Sequence, residues 1–153
     1  MARDPHPNAP GVDADVTEVM IRALVQTFYD RVRGDPMIGP IFNARIEDWP
    51  AHLDKLCAFW SSVTLMTGRY KGTPMQVHAG LPDISREHFE RWLALFRATA
   101  ADVCPDRAAR LFVDRSERIA ASLQLGIALH RGEGSVPTLR ACAPPAGEPS
   151  KAP

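Results

Sequence analysis

The chain has 153 residues, 45% of them apolar and 24% charged, and its 18 basic residues balance 18 acidic ones. That length supports one domain built on one core, and the composition is that of an ordinary soluble globular protein. Zero formal net charge without a Lys/Arg cluster gives no surface for nucleic acid or membrane, and no apolar run approaches the ~18 residues of a membrane helix.

The opening Met1-Ala2-Arg3-Asp4-Pro5-His6-Pro7 lacks the apolar block of a secretory signal, so a cytoplasmic location is expected. Residues 1–15 are rich in Pro, Asp and Ala and read as a flexible N-terminal segment. Thr17 is a plausible N-cap for a first long helix, in which Ile21, Leu24, Val25, Phe28 and Val32 form one apolar face until Gly34 and Pro36 stop it. Met37 to Asn43 is a turn-rich connection carrying large apolar residues. Asp48 and Pro50 open a second helix with Trp49, His52, Leu53, Leu56, Trp60 and Val63 on its face, ending near Thr67-Gly68. Pro74 begins a short helical turn that Gly80 and Pro82 close, inside a long linker that holds His78. Ser85 caps a third long helix with Phe89, Trp92, Leu93, Phe96 and Val103. Pro105 and Asp106 start a fourth, with Phe112, Ser116, Ile119, Leu123 and Ile127, which fades near Gly132. Residues 132–153 are rich in Gly and Pro and are expected to be a disordered tail. No stretch alternates with period two, so the class is all-α, with the structured domain at 16–131.

Cys57, Cys104 and Cys142 are odd in number, and no two are spaced like a metal pair or a redox CxxC, so they read as reduced thiols. His52 shares a helix face with Leu56 and Trp60, and taken alone is an ordinary core histidine. His78 taken alone is a loop residue, yet a neutral imidazole on a tethered turn is also what a haem iron requires. A backbone carbonyl one turn back, near Pro74 or Met75, would fix the ring's other N–H. Tyr29 and Trp92 fit core packing, but each carries a donor that needs a partner once buried. His88 is a rival histidine at a helix start.

The order of these pieces says more than any one of them. Phe28-Tyr29, Gly39-Pro40-Ile41-Phe42, His52 with Phe59-Trp60, Tyr70-x-Gly72-x-Pro74-x-x-x-His78 and His88-Phe89-x-x-Trp92-Leu93-x-x-Phe96 follow one another along the chain. This resembles the truncated haemoglobins, and within them the third group, over about residues 19–130. The resemblance implies a shortened globin, a two-over-two helical sandwich around haem. It implies that His78 is the proximal iron ligand, that Tyr29, Trp92 and His52 form the distal side, and that Phe42, Leu56, Trp60 and Tyr70 contact the cofactor. With no Cys-x-x-Cys-His for covalent attachment, the haem would be b-type. The implied function is binding of dioxygen or another diatomic ligand, NO or CO, including oxygen transport. The alternative is an NO dioxygenase or peroxidase-like enzyme served by a reductase, and a haem-free helical interaction module is a third possibility.

Overall fold

Three of the expected helix starts carry the side-chain caps that their sequences announce. Thr17 accepts the Met20 N–H at 3.1 Å and Asp48 the Ala51 N–H at 3.1 Å. Ser85 and His88 form a reciprocal capping box, each side chain accepting from the other's end of the first turn. In this computed structural model the described residues are 4–72 and 84–130, His130 by its backbone only. They form α1 (Pro10–Asp13), α2 (Glu18–Gly34), α3 (Gly39–Arg45), α4 (Trp49–Leu65), α5 (Arg86–Val103) and α6 (Asp106–His130), with no strand among them.

The helices α2 and α4 pack together, α5 lies against α2, and α6 pairs with α5, which gives the two-over-two sandwich. Apolar periodicity explains the arrangement. The α2 face of Ile21, Leu24, Val25, Phe28 and Val32 is fully buried, as are Phe96 and Ala100 of α5 and Ala108 and Phe112 of α6. A smaller cluster of Phe89, Ala120, Leu123 and Ile127 joins α5 to α6. The α4 helix ends where Met66 turns left-handed at φ 54°, its N–H donating to the Ser62 carbonyl, and Gly68 at φ 69° completes the exit.

Two segments differ from the sequence reading. Residues 37–43, expected as a turn-rich connection, contain the start of the seven-residue helix α3. The N-terminal arm, expected to be loose, packs on the end of α4. Ala9 and Val16 are buried, the His6 N–H donates to the Leu65 carbonyl at 2.9 Å, and the Arg107 guanidinium holds the Asp13 carbonyl. A Cβ on Gly11 would meet the Thr64 carbonyl oxygen at 2.6 Å, so only glycine lets the arm lie this close. The short turn expected from Pro74 to Pro82, with His78, lies outside the described residues, as do the 132–153 tail and Cys142.

Candidate functional site

Tyr29 is the centre of an aromatic enclosure assembled from four helices. It sits on α2, is 5% exposed, and lies beside the Trp92 indole on α5, whose N–H acts to lower the phenol pKa. Burial pushes the phenol pKa far above its ordinary value, and the neighbouring Trp92 indole only partly opposes this, so the phenol keeps its proton. The indole is a donor only, which leaves the tyrosine's own proton to be given elsewhere. Phe28 stands edge-on to Tyr29 at 4.7 Å and to Trp92 at 5.2 Å. Trp92 stacks on Phe96 at 5.3 Å, and this packing holds the indole in place.

Around the remaining sides of Tyr29 lie Phe42 from α3 at 5.8 Å, Trp49 from α4 at 6.1 Å and His52 from α4 at 6.3 Å, all between ring centroids. The expected distal trio of Tyr29, Trp92 and His52 is therefore brought together, with Phe42 beside it. Trp49 was not anticipated as a site residue, although its i, i+3 relation to His52 was a visible signal. It stands edge-on to His52 at 5.8 Å under the Arg33 guanidinium at 4.7 Å.

The α4 helix has two apolar faces. Trp49, Cys57, Trp60, Ser61, Thr64 and Leu65 are buried against the core. His52, Leu56, Phe59 and Val63, at helical spacing on the neighbouring face, are only half-buried. Trp60 belongs to the first face, stacked on Phe96 at 5.3 Å and edge-on to Phe112 at 5.6 Å. Tyr70 reaches the second, standing edge-on to Phe59 at 5.2 Å while its backbone N–H donates to the Ser62 hydroxyl at 2.9 Å. Its hydroxyl hangs over Gly72, where a Cβ would come within 2.4 Å of it. The stripe continues into an open cleft of about 270 Å³ lined by Phe59, Arg118, Ile119, Ser122 and Leu123. A half-covered apolar stripe with the buried Tyr29 donor and the half-buried Trp92 donor at one end fits a flat apolar cofactor carrying a polar ligand.

His88 is committed to its cap, its Nδ1 accepting the Ser85 N–H at 2.9 Å. Both described cysteines are buried; burial raises the Cys57 thiol and pushes Cys104 up to about 11, so neither forms a thiolate readily.

One further group escaped the sequence reading. Asp35, its side chain 2% exposed, follows α2 and precedes α3. Its Oδ2 accepts the Met37 and Ile38 N–H groups, each at 3.0 Å. Its Oδ1 accepts Arg91 Nε at 2.8 Å and lies 2.6 Å from Nη2 in an ion pair. The Arg91 hydrogen bond holds this carboxyl below the usual aspartate range; burial opposes it, and the two backbone donors reinforce it.

No protein-family profile matches the chain. The group 3 truncated haemoglobin of Campylobacter jejuni is 34% identical over 113 residues, covering 71% of this chain and 89% of that protein. The crystal structure of the group III truncated haemoglobin from Campylobacter jejuni superposes with a TM-score of 0.70 at 34% identity, over 73% of this chain and 91% of that one. The group II truncated haemoglobin of Bacillus anthracis gives a TM-score of 0.61 at 27% identity, over 80% and 92%.

Proposed function

This chain belongs to the group III truncated haemoglobins, and from that premise we propose that it binds haem b non-covalently and uses it to hold dioxygen or another diatomic ligand, NO or CO. When bound, the haem supplies an iron centre that takes such a ligand reversibly. In this reading His78 holds the iron from the proximal side as a neutral imidazole. Phe42, Leu56 and Tyr70 pack on the ring and keep water from it, with Trp60 behind them. The observation that carries the reading is the buried Tyr29 phenol, enclosed by Phe28, Phe42, Trp49 and His52 with the Trp92 indole beside it. With the Trp92 indole beside it, the Tyr29 O–H would donate a hydrogen bond to the ligand's polarised end while keeping its proton. His52 stands half-buried at the edge of the enclosure and acts as its gate. The protein would work in the cytoplasm without nucleic-acid or membrane partners. Among the described residues no helix is long and apolar enough to cross a membrane.

The same donor pair favours a second reading. A ligand held by a fixed, buried donor leaves slowly, which suits reaction better than delivery. NO dioxygenation or peroxide chemistry, with electrons from a reductase, is that alternative.

Stopped-flow oxygen release from the reduced holoprotein tests both. A buried donor to a polarised acceptor contributes about 1.5–3 kcal/mol. Tyr29→Phe is therefore expected to speed release roughly ten- to hundredfold. Slow release in the parent with turnover beside a reductase selects the enzyme, and faster release without turnover selects the carrier. A purified protein without an intense Soret band, or unchanged release in both Tyr29→Phe and Trp92→Phe, would overturn the proposal.

A further inference from the structure

The groups that enclose Tyr29 come from separate helices, so something must set the distances between them. Tyr29 is on α2, Phe42 on α3 and Trp92 on α5. One carboxylate joins all three elements. Asp35 directly follows α2 and holds the turn that leads into α3 through the Met37 and Ile38 N–H groups. It takes a hydrogen bond from Nε of Arg91, the residue next to Trp92, and pairs with its Nη2 at 2.6 Å. The two oxygens divide the work: Oδ2 serves the α2–α3 corner and Oδ1 serves α5. Gly39 lets the corner close, because a Cβ there would meet the Val32 and Arg33 carbonyl oxygens at 2.9 and 2.8 Å. Movement at this joint shifts α5 against α2, and with it the indole against the phenol.

Resting on the reading above, we propose that Asp35 and Arg91 are positioning residues of the distal pocket, which hold Trp92 in register with Tyr29 and so set how firmly a bound diatomic is retained. Neither touches the ligand. A charge-assisted pair suits this task better than packing alone, since a hydrogen bond between opposite charges fixes direction as well as distance. The Arg91 side chain is 44% exposed, so replacing it leaves the core intact.

The test uses holoprotein with carbon monoxide and with oxygen. Asp35→Asn keeps an oxygen for the turn into α3 but turns amide N–H groups toward Arg91. Arg91→Gln removes the charge without disturbing the buried partner's hold on that turn. Each is expected to split the infrared stretch of bound carbon monoxide into two bands, one lacking a donor. Each is also expected to speed oxygen release by roughly two- to thirtyfold, the range for mutations acting through intervening contacts. The double variant should do no more than either single one. If Asp35→Asn fails to fold, Arg91→Gln alone decides. A melting temperature that falls while band and release rate stay at parental values in Arg91→Gln would reduce the pair to a structural ion pair and overturn the inference. Tyr29→Phe run alongside separates the two readings. If it moves band and rate while Arg91→Gln does not, only the positioning role fails. If Tyr29→Phe is silent too, the donor reading fails with it.

Discussion

A side chain's neighbours along the sequence and its neighbours in space are different information, and the site shows both cases. Tyr29, Trp92 and His52 were legible because each lies in a block of characteristic spacing, and the fold does bring them together. The Asp35–Arg91 pair was not, because 56 residues separate its halves and an ion pair between distant elements imposes no local pattern. Trp60 was read as a cofactor contact, and its ring lies in the stack with Phe96, on the core face of α4. Periodicity places a residue on a helix, but on a helix with two apolar faces it does not choose between them. For the proximal position, His78→Ala is expected to lose most haem, with a five-coordinate spectrum regained on adding imidazole. His88→Ala should keep its haem and lose only cap stability, about 1 kcal/mol, because its Nδ1 serves the Ser85 N–H. The reverse pattern in haem content would reassign the ligand. His52 packs edge-on to both Trp49 and Tyr29, so its outward swing must break two ring contacts. We expect His52→Ala to raise association and release rates together, leaving equilibrium affinity little changed. A six-coordinate low-spin spectrum of the ligand-free ferrous protein that His52→Ala abolishes would instead make His52 an iron ligand.

Helices were most legible where a cap and a long periodic face coincide. Thr17, Asp48 and Ser85 each sit where expected, and α2, α4, α5 and α6 follow from their apolar faces. The short elements were hidden for a physical reason. The four residues of α1 and the seven of α3 cannot form helix on intrinsic propensity and exist only through tertiary contact. Their Gly and Pro residues, which read as turn signals, are here the means of close approach and of helix initiation. The arm ending at Val16 thereby becomes a strut on the C-terminal turn of α4. Gly11→Ala should push this strut off Thr64 and cost about 1–3 kcal/mol, as overpacking does. Thermal melts of the two proteins check this, and equal melting temperatures would mean that the arm does not bear on α4.

At the scale of the whole molecule, the class and the sandwich were legible, since uninterrupted helical periodicity leaves few ways to bury four amphipathic faces. The Gly- and Pro-rich stretch after residue 131 offers no such face. A chain ending at Arg131 is expected to keep the full-length absorption spectrum and melt within a few degrees of it. A collapse in haem content would show that the tail packs on the globin. The half-covered stripe of α4 has a further consequence, for supply rather than for binding. A cofactor that fills it stabilises only the folded chain, by about 2.7 kcal/mol when present at a hundred times its dissociation constant. Without it, Leu56, Phe59 and Val63 remain half-bare, the kind of surface that chaperones retain and proteases clear. The amount of this protein in a cell should then follow the availability of haem even at constant synthesis, so that newly made chains compete for the cofactor and those that miss it are degraded.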